Sequence, residues 1–207
     1  MFKSLIQLFN NKPGKVGKFS ASDLLKIATE KRDASDLDAA VELLRKAYEV
    51  IKNDNVSYSV SIFLRLPHYL QQAGRNDEAW REFNLLLTHG YPNQIKNAEV
   101  LPMEHCQIYD KMRLFLQREN KFKPAIRFGI WSYISWAVGL YRQKRKAELK
   151  SYIDRENIEE NIAALLKKAK KLNLKDELID IVEAETKTLP DIDFDKLGRE
   201  IDEVVFR

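Results

Sequence analysis

Few side chains in this chain could do chemistry on their own. The three histidines are His68, His89 and His105, and Cys106 is the single cysteine. No histidine has a partner at the spacing that places two metal ligands on one helix face, and adjacent His105 and Cys106 point to different sides of a helix. A Cys106–His68 nucleophile pair would require two neighbouring helices, whereas a cysteine usually packs as a small apolar side chain. We therefore expect no metal and no cofactor.

Two further patterns fall short of a catalytic motif. The segment Lys12–Lys18 contains glycines and lysines but lacks the spacing and the strand–loop–helix setting of a phosphate-binding loop. Glu156, Glu159 and Glu160 form a carboxylate cluster, which the first turn of a helix favours for electrostatic reasons alone. We therefore expect that the chain is not an enzyme.

Basic residues are the remaining chemical feature, and they are concentrated late in the chain. Residues 142–171 hold ten basic against five acidic residues, and residues 172–207 hold five against eleven. Basic helices near Trp131, Trp136, Tyr141 and Tyr152 would suit phosphate contacts and base stacking. The alternative interpretation is a solvated surface, with the acidic tail folded against the basic helices. The side chains that would contact a nucleic acid are Arg142, Lys144, Arg145, Lys146, Lys167, Lys168, Lys170 and Lys171.

Helical elements must position all of these side chains. Apolar periodicity predicts helices over residues 21–32, 37–52, 57–72, 77–89, 103–118, 124–149, 155–172, 175–187 and 194–205. No segment alternates at a period of two for long enough to predict a strand. The fold class predicted from the sequence is therefore all-α.

One stretch, residues 66–92, has the pattern of a complete helix–turn–helix unit. Gly74 supplies the left-handed residue that ends a first helix, and Asp77 is expected to cap a second. Ala79, Phe83 and Leu86 then recur at spacings of four and three, which places them on one apolar stripe.

The same pattern occurs twice more. It lies 39 residues upstream, where Ser35-Asp36 takes the role of turn and cap before Ala40, and 46 residues downstream, where Asn120 replaces the turn glycine and Ala125 is the small residue. In that third copy Gly129 stands where a large aromatic residue is expected. With Pro92 near the end of the best copy, residues 21–140 resemble the tetratricopeptide repeat family.

The resemblance implies stacked antiparallel helix pairs, an α-solenoid whose first helices line a concave groove. Side chains that point away from the core on these first helices would contact a partner. Matched onto the repeat unit, the residues expected there are Arg32, Leu64, Arg65, His68, Gln71, Gln72, Asp110, Leu114, Gln117 and Arg118.

The C-terminal helices are expected to close this stack. The repeat pattern is lost after about Lys150, and atypical terminal helices commonly cap the exposed core edge of a helical array. Leu165, Leu166, Ile179 and Val182 would then pack against the uncharged segment 128–141, which is too short to cross a bilayer. We expect an N-terminal segment at 1–20, repeats at 21–150 and capping helices at 151–207 within the same domain.

The N-terminal residues have two interpretations. Phe2, Leu5, Ile6 and Phe9 would either dock on the fold or contact a membrane surface weakly, with Lys12–Lys18 as a flexible link. They lack the charge order and cleavage site of a secretory signal. Together with a lone cysteine, this favours a cytoplasmic location.

These observations lead to three hypotheses for function. The first is a non-enzymatic adaptor or scaffold that binds a protein or peptide partner in the concave face. The second is RNA or single-stranded nucleic-acid binding through the basic helices of residues 142–171. The third is an immunity- or antitoxin-type inhibitor of one partner protein, which the sequence does not separate from the adaptor.

Overall fold

The computed structural model describes residues 19–54 and 56–207, and every regular element in these residues is helical. The chain divides into two compact units, Met1–Asn55 and Val56–Arg207. The all-α prediction is confirmed, and the solenoid arrangement remains a prediction. The α-helices are α1 Ala21–Asp33, α2 Leu37–Asn53, α3 Val60–Phe63, α4 Arg65–Gln72, α5 Asn76–Thr88, α6 Leu101–Arg118, α7 Phe122–Arg142, α8 Lys146–Tyr152, α9 Arg155–Ala169, α10 Lys175–Thr186 and α11 Phe194–Phe206.

The described part of the first unit is a pair of packed helices, α1 and α2. Ser20 begins α1 with a capping box, in which its hydroxyl oxygen accepts a hydrogen bond from the Asp23 amide and the Asp23 carboxylate accepts one from the Ser20 amide. Ala28 of α1 and Ala40 and Leu44 of α2 are fully buried. Small residues on both helices allow the close approach that buries the apolar stripe of α2.

A recurring turn follows five of the described helices, α1, α4, α6, α7 and α9, and it includes the three turns predicted from the sequence. Ser35, Gly74 and Asn120 have φ angles of 61°, 74° and 58°, and Lys144 and Lys170 take the same left-handed conformation at 57° and 55°. A non-glycine residue costs roughly 1–2 kcal/mol in this region. The turn therefore recurs even where the sequence contains no favourable residue for it.

Hydrogen bonds at Gly74 show the geometry that these turns share. The Gly74 amide donates to the Gln71 carbonyl at 3.0 Å, and the Arg75 amide donates to the Leu70 carbonyl at 2.8 Å. This pair of bonds satisfies carbonyls that the end of α4 leaves without a helical partner. The next helix then begins at Asn76, two residues after the left-handed one.

Several predicted boundaries are wrong. The predicted helix 57–72 is split at Leu64, the helix 124–149 is broken at residues 143–145, and the helix 155–172 ends at Ala169 before a short 3₁₀ turn. Asp77 is not the cap of α5. The helix starts one residue earlier, and Arg75 holds the cap position without a side-chain cap bond, pairing instead with Glu78 at 2.8 Å.

One hydrophobic core cluster of the second unit joins α7 to the C-terminal helices. Leu165, Leu166, Ile179 and Val182 all pack in the cluster that contains the buried face of α7, so this predicted contact is confirmed. The α7 side chains in the cluster are Ile126, Ile130, Tyr133, Ile134 and Val138. The C-terminal helices thus complete the core of this unit.

Gly129 explains the departure of the third copy from the repeat pattern. A Cβ atom at this position would lie 2.5 Å from Cδ2 of Leu165. The glycine therefore lets Leu165 of α9 press against the backbone of α7, in the space that an aromatic side chain would otherwise occupy.

The charge imbalance is only partly compensated within the fold. Arg155 of the basic segment pairs with Glu183 of the acidic tail at 3.0 Å, whereas the pair of Glu159 with Lys175 at 2.9 Å joins the two segments in the opposite sense. Within the described residues no helix is long and apolar enough to cross a membrane. The predictions for residues 1–18 lie outside the described part of the chain.

Candidate functional site

A groove of about 480 Å³ runs between α4 and α6, and we call it the α4–α6 groove. Leu64, His68 and Gln71 reach it from one side because residues four and seven apart share one helix face. Gln107 and Lys111 of α6 reach it from the other side at the same spacing. Side chains that recur at helical spacing on two neighbouring elements therefore form the walls of the groove.

Six of the ten side chains expected on the concave face lie together in this groove. They are Leu64, Arg65, His68, Gln71, Asp110 and Arg118. Of the other four, Gln72 is exposed and Leu114 is half-buried on α6. Arg32 belongs to the first unit, where it pairs with Asp33 at 2.5 Å.

The side chain of Gln71 is hydrogen-bonded within the fold. Its side-chain nitrogen donates to the Phe115 carbonyl at 3.0 Å and to Glu119 at 3.2 Å, and its oxygen accepts a bond from Arg118 at 3.0 Å. Asn76 donates to the same Glu119 carboxylate at 2.9 Å. This network links α4 and α5 to the last turn of α6, so Gln71 holds the groove walls together.

A smaller cavity of about 270 Å³ continues on the other side of α6, between α6 and α9, and we call it the α6–α9 cavity. Asp110 and Ser132 line both the cavity and the groove, so the two concavities adjoin. Gln117 lies beside this cavity, where its oxygen accepts bonds from Arg113 at 3.1 Å and from Lys168 at 3.2 Å. The predicted residue Gln117 therefore bridges α6 and α9.

Cations outnumber carboxylates along both concavities. The carboxylate Asp110 is paired with Arg113, with 2.5 Å between Nη2 and Oδ1. The basic side chains of the two linings are Arg65, Lys111, Arg113, Arg118 and Lys168. The combined surface therefore attracts negative charge.

The sequence analysis missed Gln107 and Lys111. Both are exposed, and Gln107 stands three residues before Asp110 and Lys111 three before Leu114, so helical spacing from these two predicted residues would have identified them. It also missed Arg113 and Asn161, which line the α6–α9 cavity. Nothing in the sequence indicates that α9 approaches α6.

Cys106 and His68 do line one groove, as a nucleophile pair would require. Burial raises the pKa of the Cys106 thiol, however, and Sγ lies 3.3 Å from the Ser132 hydroxyl oxygen. An activated cysteine needs a lowered pKa and a nearby base or cation. The Ser132 hydroxyl itself donates to the Cys106 carbonyl at 3.0 Å, which ties α7 to α6. The contacts of Cys106 with Ser132 are those of a packed side chain.

The two basic runs lie far apart. Arg142 donates to the Ala98 carbonyl at 3.0 Å, just before α6 begins, whereas Lys168 donates to Gln117 in the last turn of α6. The length of α6 separates these contacts by roughly 25 Å at 1.5 Å per residue. Arg142, Lys144, Arg145 and Lys146 therefore form one patch, and Lys167, Lys168, Lys170 and Lys171 form another.

No three metal-binding side chains meet in the part of the chain that the structure describes. Comparison with protein-family models, curated proteins and solved structures finds no match to this chain. The geometry of the groove and the cavity is therefore the basis for a functional conclusion.

Proposed function

We propose that this chain is a non-enzymatic interaction module that binds an acidic protein segment in the α4–α6 groove. The observation that supports this most directly is the groove itself, which brings together six of the ten residues expected on the concave face. Its volume of about 480 Å³ lies within the range of natural ligand sites, roughly 300–1,000 Å³.

The chemistry of the lining fits an extended peptide. Leu64 and Phe83 offer apolar contacts, while Ser61 and Gln107 offer groups that donate and accept hydrogen bonds. A peptide backbone needs both kinds of partner, because its amides and carbonyls lose water when they bind. The excess of Lys and Arg then favours a segment rich in Asp or Glu.

The repeated helix–turn–helix pattern adds support for an adaptor, since stacked helix pairs commonly present such a concave surface. An inhibitor of one partner protein would use the same groove. The tetratricopeptide-like label and the cytoplasmic location are parts of this proposal. The nucleic-acid alternative would require a strand that spans the roughly 25 Å between its two basic patches.

The test is a groove variant that leaves the fold intact. Gln107→Glu/Lys111→Glu adds a negative charge at one exposed side chain of the groove wall, reverses the charge of another and spares the bonded Gln71. Lys167→Glu/Asn173→Asp is the matched control, since both residues are exposed, lie outside the groove and change the net charge by the same amount. Wild type and both variants are used to capture partners from cells that produce the chain.

We expect to capture a partner that binds the wild type and the control variant but does not bind the groove variant. A photocrosslinker at position 107 should also join that partner, whereas one at position 173 should not. Capture of the same partners by the groove variant would exclude the groove. Binding of a single-stranded RNA, lost on reversal of Arg142–Lys146 and steeply dependent on salt, would favour the nucleic-acid alternative.

A further inference from the structure

A third cavity, of about 590 Å³, lies where α7 ends and α8 begins, away from the α4–α6 groove. We call it the α7–α8 cavity. Its apolar lining is Leu140, Tyr141, Leu149 and Ile153. All the other lining side chains are cationic, namely Arg142, Lys144, Arg145, Lys146 and Lys150.

The turn between the two helices shapes this cavity. Lys144 has a φ of 57°, its amide donates to the Tyr141 carbonyl at 3.0 Å, and the Arg145 amide donates to the Leu140 carbonyl at 3.0 Å. The chain then reverses into α8, where Lys146, Leu149, Lys150 and Ile153 recur at spacings that share one helix face. The carbonyls of Leu140 and Tyr141 are therefore already hydrogen-bonded at the turn.

Leu140 is buried in the core, but Leu149 and Ile153 of the aliphatic floor are not required by it. None of the α8 side chains is buried, and Leu149 and Ile153 are only half-buried. Apolar side chains on an otherwise charged short helix lose free energy in water, because burying each one fully is worth roughly 1.5–3 kcal/mol. A bound apolar group would recover part of that free energy.

Within the described residues, only Arg145 of the five cations has an anionic partner. Arg145 pairs with Glu148, and Arg142 donates to the Ala98 carbonyl. Across residues 19–54 and 56–207, no carboxylate pairs with Lys144, Lys146 or Lys150, and all three are exposed. Their ammonium groups surround the aliphatic floor and attract negative charge to its edge.

We propose that the α7–α8 cavity binds a single anionic amphiphile, a molecule with a carboxylate or phosphate head and one hydrocarbon chain. The head contacts Lys144, Lys146 and Lys150, and the hydrocarbon chain covers the half-buried Leu149 and Ile153. This is a second site, separate from the groove proposed to bind protein.

The lining distinguishes this ligand from a macromolecule. No Asp, Glu, Asn, Gln, Ser or Thr side chain is among the lining residues, so a peptide backbone would find few acceptors for its amides. A nucleic acid would meet only one aromatic ring, that of Tyr141, for base stacking. An aliphatic floor with a cationic edge instead matches a ligand that has one anionic head group and one hydrocarbon tail.

The experiment is titration of the full chain with sodium dodecanoate below its critical micelle concentration, followed by calorimetry and by amide NMR shifts. Dodecyltrimethylammonium, which has the same tail and a cationic head, tests whether binding requires a negative head group. Inorganic phosphate tests whether an anionic group binds without a hydrocarbon tail. Lys146→Glu/Lys150→Glu reverses the edge, with Lys167→Glu/Lys170→Glu as a charge-matched control at the end of α9 and in the turn that follows it. Leu149→Asp places a carboxylate in the floor, where no buried side chain of α8 is disturbed.

We expect saturable binding of one dodecanoate per chain, with shifts in residues 140–153. The edge variant should weaken binding at least about tenfold, or about 1.4 kcal/mol, and the Leu149→Asp variant should abolish it. The control should bind as wild type does. Equal affinity for the cationic amphiphile, unchanged binding by the edge variant, or binding only to vesicles of anionic phospholipid and not to monomeric dodecanoate would each overturn the proposal.

Discussion

Removing residues 151–207 is the most discriminating perturbation of this fold. The C-terminal helices share one core with α7, although they lack the repeat pattern of the preceding helices. If they were an independent charged arm, residues 1–150 would fold without them. If they close the core, the shortened chain would expose the apolar face of α7 to water.

The magnitude follows from the buried side chains of that face. Truncation uncovers five of them, which are Ile126, Ile130, Tyr133, Ile134 and Val138. At roughly 1.5–3 kcal/mol each, the lost burial amounts to about 7–15 kcal/mol. The whole stability of a domain is only about 5–15 kcal/mol. We therefore expect the second unit to lose its cooperative fold.

The assay compares full-length and truncated chains by sedimentation velocity, thermal unfolding and binding of a hydrophobic dye. The truncated chain should aggregate, bind the dye and show no cooperative transition. Replacing Ile130 and Val138 with Gln and Ile134 with Lys in the truncated chain should reduce aggregation, because these residues keep helix propensity and remove the apolar face. A soluble, monomeric and cooperatively unfolding 1–150 chain would refute the reasoning and strengthen the nucleic-acid alternative.

Three smaller perturbations test individual features by thermal or urea unfolding. Gly74→Ala should destabilise the chain by roughly 1–2 kcal/mol through positive φ alone, since no atom lies within 4 Å of the added Cβ; an unchanged midpoint would contradict the left-handed turn. Gln71→Ala should cost roughly 1.5–4.5 kcal/mol because it removes three hydrogen bonds, to the Phe115 carbonyl, Glu119 and Arg118, each worth about 0.5–1.5 kcal/mol, whereas exposed Gln72→Ala should cost nearly nothing, and equal losses would argue against the network. Burial raises the pKa of Tyr133 to about 12 from an ordinary 10.0, so its contribution to stability is complete below pH 10 and is lost as pH rises through 12. Tyr133→Phe should therefore flatten the decline in stability over that range, and a decline as steep as that of wild type would show that Tyr133 does not contribute.

Much of the helical framework was determined by the sequence itself. The apolar periodicity predicted α1, α2, α5 and α6 to within two residues at each end. Gly74 and Asn120 marked left-handed turns, because these residue types tolerate positive φ better than others do. Such features depend on interactions within about ten residues of chain, so a sequence pattern is enough to predict them.

The turns at Lys144 and Lys170 could not be predicted in this way. Lysine has no preference for positive φ, and an uninterrupted helix over 124–149 is consistent with the local pattern. The break is held in place by contacts from distant parts of the chain, including the bond from Arg142 to the Ala98 carbonyl and the hydrogen bond of Tyr133 to the Tyr152 carbonyl. Tertiary contacts override the local helix propensity at this position.

The candidate site shows the same division. Helical spacing alone placed Leu64, His68 and Gln71 on one face, and the groove contains all three. Whether each side chain is available to a partner depended on its neighbours in space, because Gln71 is bonded to the end of α6, whose Phe115 is 44 residues away in the chain. Likewise, the cavity beside α6 exists because Gly129 admits Leu165 from α9. Side-chain direction along a helix is a local property, whereas burial and hydrogen bonding are decided only when distant helices meet.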